Sequence, residues 1–70
     1  MTVDTADPDK AKIEAMYPQV IMAVGDPFEM KTGPMQGSGR CIRRRLTARG
    51  GVLFTIRFED GHIKDWEWFD

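Results

Sequence analysis

The sequence predicts a mainly β domain, a small antiparallel barrel or strongly bent sheet of four to five short strands behind one short N-terminal helix. Short runs with alternating apolar side chains are separated by glycine-rich turns. The 70 residues show no strand–helix–strand alternation, the pattern that would indicate a parallel sheet. A chain this short forms one domain, which we expect to span residues 7 to 70 after a disordered stretch from residue 1 to residue 6.

The helix is predicted from its boundaries. Asp7 is a candidate N-cap residue, and Pro8 fits the first helical position. Pro18 disfavours helical geometry at Tyr17, so the helix should end there after roughly two turns. A helix of that length is marginal in water and must pack on the rest of the domain. The apolar run from 19 to 24 that follows is predicted as a strand or a strand-like lead-in.

Two strands are predicted on either side of a glycine-rich loop. Phe28 and Met30 alternate with charged residues, so their side chains should face inward. Residues 32 to 39 contain three glycines and a proline, a density typical of a sharply bent connection. Residues 40 to 46 are predicted as the second strand, with Ile42 as its first apolar anchor and Cys41 as the alternative one.

The C-terminal part of the chain predicts a hairpin. Residues 52 to 58 show the clearest two-residue apolar alternation in the sequence. The Asp-Gly pair at 60–61 is typical of type I′ turns, so residues 63 to 69 should return antiparallel to the preceding strand. Trp66 and Trp68 are then expected on one face of that last strand.

Charged residues separate into three blocks that the net charge of −1 conceals. Residues 1 to 29 hold six acidic residues and two lysines, and residues 59 to 70 hold five acidic residues and one lysine. Residues 30 to 58 hold one lysine and six arginines without an acidic residue. This asymmetry bears on binding partners rather than on fold. The candidate nucleic-acid-binding residues come from the basic block: Lys31, Arg40, Arg43, Arg44, Arg45 and Arg49.

The arginine cluster has two interpretations. On a regular strand Arg43 and Arg45 share one face, and Arg40 and Arg44 share the other. Guanidinium groups bind phosphates bidentately and with salt-dependent affinity, so the first interpretation is a contact surface for DNA or RNA. The second is pairing with carboxylates of the acidic blocks inside the molecule, which would leave no free positive surface.

The aromatic residues of the last strand also have two interpretations. Trp66 and Trp68, together with Phe69, could bind a protein partner, stack on bases or enclose a cationic ligand, and acidic neighbours suit a basic protein segment. Alternatively, the two tryptophans close the core or fill a subunit interface, because a domain this small has few other bulky side chains.

The remaining reactive side chains predict no enzymatic site. A single Cys41 and a single His62 do not assemble a metal site or a nucleophile–base pair. We therefore expect no catalytic residue, no metal and no cofactor. One cysteine excludes an internal disulfide and fits a reducing compartment, and the first residues hold no apolar run that would form a signal or membrane helix. A cytoplasmic protein without a membrane partner is expected, either monomeric or a homo-oligomer.

Four short motifs resemble the opening of SH3-like small β-barrels: Val24-Gly25-Asp26, Met30-Lys31-Thr32-Gly33-Pro34, Gln36-Gly37 and Gly39-Arg40-Cys41-Ile42. They are similar to the KOW motif of transcription elongation factors and ribosomal proteins, in which a Gly-Pro turn joins two strands. The spacing of Gly-Asp and Lys-Thr-Gly also resembles the plasmid-borne type II dihydrofolate reductases, which have the same barrel type. The resemblance covers about residues 20 to 69 and implies an SH3-like barrel.

The last hairpin departs from the reductases. Their pore-lining Val-Gln-Ile-Tyr segment corresponds here to Ile63-Lys64-Asp65-Trp66, which argues against reductase activity. The function predicted first is therefore a small non-enzymatic interaction module that binds nucleic acid or a nucleic-acid-processing complex through its arginine-rich strand. The alternatives are a protein–protein adaptor or inhibitor that uses the acidic, tryptophan-rich C-terminal strand, and a reductase-like enzyme that needs a symmetric assembly.

Overall fold

The structure, a computed structural model, describes residues 6–19 and 22–69. One helix precedes a four-stranded antiparallel sheet: α1 Lys10–Met16, β1 Pro27–Met30, β2 Gly37–Leu46, β3 Val52–Phe58 and β4 Ile63–Trp68. The strands follow one another in the order β1-β2-β3-β4, each paired with the next. The predicted mainly β fold with a short N-terminal helix is confirmed. Closure of the sheet into a barrel stays a prediction, since in the described residues β1 and β4 are the unpaired edges.

The inner face of the sheet carries the core. Alternate residues of β3 are buried from Val52 to Phe58, as their periodicity predicts. Phe28 of β1 packs its ring edge-to-face on Phe58, with ring centroids 5.9 Å apart. The helix contributes Ile13, which is fully buried. Aromatic contacts and apolar burial together stabilise this small core, because a chain of this size can bury few other side chains.

The strand predictions on either side of the glycine-rich loop are confirmed, with two corrections. The Cys41 side chain is fully buried, whereas Ile42 is 37% exposed, so Cys41, the alternative anchor, fills that role in β2 and Ile42 does not. Residues 22 to 24 form no strand, and the rest of the apolar lead-in, residues 20 and 21, lies outside the described residues.

Two hairpins use the same connection. Gly61 N–H donates to Phe58 O, and Gly61 has a φ of +91°. Gly50 N–H likewise donates to Thr47 O, with a φ of +87° at Gly50. A type I turn followed by a left-handed residue gives this pattern, and glycine adopts that conformation without steric cost. The type I′ turn predicted for Asp60 is wrong, because that turn requires positive φ at both central residues and Gly61 alone has it.

The N-terminal segment covers the half of β2 that β1 does not reach. β1 pairs with β2 only as far as Arg40. Beyond it, Arg44 N–H donates to Ala6 O at 2.9 Å, and Leu46 N–H donates to an oxygen of the Asp9 carboxylate at 2.9 Å. The backbone groups of β2 are therefore satisfied by a segment more than thirty residues earlier in the chain.

These contacts correct the predicted start of the helix. The helix begins at Lys10, with Asp9 at the N-cap position but without a capping bond from its side chain. Asp7 is buried and does not cap the helix. Ala6 is ordered against β2, whereas the remainder of the stretch predicted to be disordered, residues 1 to 5, lies outside the described residues. As predicted, the helix ends before Tyr17.

Within the described ranges, no helix combines the length and the apolar character needed to cross a bilayer.

Candidate functional site

A β-bulge at Ile42 determines which arginines of β2 share a face. The register between β2 and β3 shifts between Cys41 and Arg43, so one extra residue is inserted on β2. Such an insertion reverses the side-chain alternation beyond it. Cys41 and Arg44 therefore both point to the inner face, where they oppose Ile56 and Phe54.

The outer face of the sheet consequently collects the other arginines of the strand. Arg40, Arg43 and Arg45 oppose Arg57, Thr55 and Leu53 of β3, and all three arginines are exposed. The face assignment predicted for a regular strand is thus corrected: Arg40 joins Arg43 and Arg45, and Arg44 does not share its face. We call the set Arg40, Arg43, Arg45 and Arg57 the outer arginine face.

Arg44 lies in the interior. Its side chain is 1% exposed, and its Nε and Nη2 donate to the two oxygens of Asp7 at 2.8 Å and 3.1 Å. Its Nη1 donates to Met22 O at 3.0 Å. These bonds satisfy the guanidinium in a fork geometry, so Arg44 acts as an internal tie between β2 and the N-terminal segment. Arg44 therefore shows the internal pairing with a carboxylate that was the second interpretation of the cluster.

The two candidates at the ends of the basic block are apart from the outer arginine face. Arg49, in the turn between β2 and β3, places Nη1 3.6 Å from Glu67 and lies over the ring of Phe69 at 5.5 Å. Lys31 is exposed in the loop between β1 and β2, near the other end of β2. The structure thus brings together three of the six residues singled out from the sequence.

Arg57 was not among those six, although it completes the face. It directly opposes Arg40 across the β2–β3 pair and is exposed. The alternation in β3 places Arg57 on the solvent side, but its position beside Arg40 depends on the pairing register, which the sequence does not display.

Carboxylates border the outer arginine face on β4. Asp65 opposes Thr55, whose hydroxyl donates to the Asp65 carboxylate at 2.7 Å. Glu67 is the partner of Arg49. Within residues 6–19 and 22–69, Arg43, Arg45 and Arg57 form no ion pair and no side-chain hydrogen bond. The face therefore keeps positive charge open to solvent beside an acidic margin.

The two tryptophans lie on the opposite, inner face of β4. Trp66 contacts Phe28 and Phe54, with ring centroids 6.0 Å and 6.1 Å apart. The ring of Trp68 contacts the ring of Tyr17 edge-to-face, with centroids 5.3 Å apart. Both tryptophans are half-buried in the margin of the core. Because the acidic side chains of β4 point to the outer face, the tryptophans and the acids do not form one surface.

The isolated reactive groups stay apart from one another. His62 is exposed, with Nδ1 3.4 Å from a carboxylate oxygen of Asp60. A hydrogen bond from the His62 backbone N–H lowers the pKa of the Asp60 carboxyl. Cys41 is buried, and burial raises the pKa of its thiol. In the described part of the chain, no three His, Cys, Asp or Glu side chains are placed to hold a metal ion.

Comparison of the chain with protein-family models, with curated proteins and with solved structures gave no match.

Proposed function

We propose that this protein is a non-enzymatic module that binds nucleic acid through the outer arginine face. The observation that carries the proposal is the bulge at Ile42, which aligns Arg40, Arg43 and Arg45 on one exposed surface and sets Arg57 beside them. Guanidinium groups donate two parallel hydrogen bonds to a phosphate, and a row of them follows a polyanion.

The spacing along β2 supports contact with a chain of phosphates. Residues two apart on a strand are separated by roughly 6.6 Å, so Arg43 and Arg45 offer a repeated cationic contact in one direction. Arg57 on the neighbouring strand widens this row by roughly 4.8 Å. An extended row of this kind fits the backbone of a nucleic acid strand better than it fits a small compact anion.

The two tryptophans lie away from the outer arginine face, and this separation bears on the mode of binding. Trp66 and Trp68 point to the inner face, so they offer no base stacking beside Arg43 and Arg45. Phosphate contacts position a protein on nucleic acid but do not read its sequence. The proposal therefore implies binding with little dependence on base sequence and strong dependence on salt.

The sheet order is compatible with the predicted relationship to SH3-like small barrels of the KOW kind. Four antiparallel strands in consecutive order, one of them with a bulge, are features such barrels use. Under this proposal the arginine-rich second strand is the binding element of the domain. The fold relationship adds to the proposal, and the charge arrangement of the outer face carries it.

The test is a titration of a fluorescent single-stranded oligonucleotide, followed by anisotropy at low salt. The double variant Arg43→Ala/Arg45→Ala should weaken binding at least about tenfold, because it removes two charge-assisted phosphate contacts. The matched control is Lys10→Ala/Lys12→Ala, which removes the same charge from exposed positions on α1. Equal weakening by both variants, or no binding by the unaltered protein, would contradict the proposal.

A further inference from the structure

Arg40 and Arg57 form the one directly opposed like-charged pair between β2 and β3 in the described residues. Both side chains are exposed on the outer face. A groove of about 360 Å³ opens beside them, lined by Gly39, Arg40, Ile42, Arg57, Phe58 and Glu59. Directly opposed like charges destabilise an antiparallel pair, so this arrangement favours an anion bound beside the two arginines.

The backbone around the pair fixes the distance between the strands. A Cβ atom at Gly39 would collide with Arg57 O, so β2 approaches β3 this closely only because residue 39 has no side chain. Arg40 Nη1 donates to Gly25 O on the β1 side of β2, a bond that holds its guanidinium in place before any ligand arrives. One arginine is therefore positioned in advance, and such positioning reduces the entropic cost of binding.

We propose that this groove binds the terminal phosphate of a nucleic acid strand, with the rest of the strand running over Arg43 and Arg45. A terminal phosphate monoester carries a charge of about −1.5 to −2 at neutral pH and three strong acceptor oxygens, more than an internal phosphodiester offers. Two arginines that line one groove match that charge and that number of acceptors. This inference rests on the proposed function and names the part of the ligand that the groove selects.

Glu59 gives the groove a built-in competitor. Glu59 lines the same groove as the two arginines and is exposed. A carboxylate there offsets part of the cationic field and repels an incoming phosphate. Removing the charge of Glu59 should therefore strengthen phosphate binding, which a purely structural role of the arginine pair would not produce.

The experiment compares three labelled oligonucleotides of one sequence on the full chain: one with a 5′-phosphate, one with a 3′-phosphate and one with hydroxyl groups at both ends. At least one phosphorylated strand should bind about tenfold more tightly than the hydroxyl strand. Arg57→Ala should remove that preference, and Glu59→Gln should increase it. Arg45→Ala, a matched loss of one arginine away from the groove, should weaken all three strands alike.

The comparison of the three strands distinguishes failure of this inference from failure of the proposed function. Equal affinity for all three strands would overturn the terminal-phosphate site and leave nucleic-acid binding intact. Failure of every strand to bind would overturn both proposals. Competition arms with inorganic phosphate and a nucleoside monophosphate identify the source of the group. Tight binding of either small molecule without binding of any strand would assign the groove to a free phosphate compound and contradict the strand-end site.

Discussion

Arg44 and Asp7, 37 residues apart in the chain, meet inside the protein through two hydrogen bonds of 2.8 Å and 3.1 Å. The pair fastens the N-terminal segment to the middle of β2 and takes Arg44 out of the exposed cluster. Both side chains are almost fully buried, at 1% and 6% exposure. A charge buried to that extent is tolerated only with its partner in place.

Removal of one member of this pair should destabilise the protein strongly. Asp7→Asn leaves the Arg44 guanidinium buried without a counter-charge, which costs about 3–5 kcal/mol in comparable sites. Urea unfolding followed by circular dichroism measures the loss. The control Asp60→Asn, at an exposed turn, should change the free energy of unfolding far less.

The double variant Asp7→Asn/Arg44→Met distinguishes an uncompensated charge from impaired packing. Because it removes the buried cation as well as its partner, it should recover much of the stability that Asp7→Asn loses. A double variant as unstable as the single one would show that the ion pair is not the source of the loss.

Trp66 should contribute to stability through its contacts with Phe28 and Phe54. Complete burial of a tryptophan is worth about 3–5 kcal/mol on replacement by alanine, and half-burial should give about 2 kcal/mol for Trp66→Ala. The midpoint of urea unfolding measures the change.

Ile63→Ala is the control for that variant, because Ile63 lies on the same strand and is 57% exposed. It should shift stability by less than about 0.5 kcal/mol. A Trp66→Ala variant as stable as the unaltered protein would instead favour the interpretation in which the tryptophan serves a protein partner.

Stability should fall at alkaline pH because of Cys41. Burial raises the pKa of its thiol above the ordinary value of 9.0, so the folded protein keeps the proton at a pH where the unfolded chain releases it. This contribution to stability is therefore complete below pH 9.0 and is lost as the pH rises through the folded-state pKa. Thermal unfolding between neutral and alkaline pH measures the decline.

The variant Cys41→Ala removes the titrating group and should flatten that alkaline decline, although it lowers stability at every pH by leaving a cavity. Alkylation of the thiol gives an independent readout. Iodoacetamide should modify Cys41 slowly in the folded protein and rapidly in urea, since the side chain is fully buried. Rapid alkylation without denaturant would contradict the buried position.

The salt dependence of oligonucleotide binding should report how many outer arginines neutralise a phosphate. For a single-stranded ligand, each arginine–phosphate pair that a variant removes makes the slope of log K against log salt concentration less negative by about 0.7. Arg43→Ala/Arg45→Ala should therefore change the slope by about 1.4, whereas Lys10→Ala/Lys12→Ala should leave it unchanged. An unchanged slope in the arginine variant would place the phosphate-binding residues elsewhere.

The class of the fold and most of its strands could be predicted from local patterns along the chain. The apolar alternation in β3 and the glycines on either side of it were sufficient for these predictions. A half-buried strand must alternate apolar and polar side chains, and a tight turn needs residues that tolerate positive φ. Apolar alternation and turn chemistry act over a few residues, so they are visible along the chain.

Which arginines face solvent depends on how distant parts of the chain pack together. The bulge at Ile42 reverses the alternation of β2, and the partner of Arg44 comes from a segment 37 residues away. Neither the residue inserted into the β2–β3 ladder nor the contact between Arg44 and Asp7 leaves a local pattern in the sequence. Both depend on which distant segments of the chain lie side by side. For the same reason Arg57 joined the outer arginine face only once β2 and β3 were placed side by side.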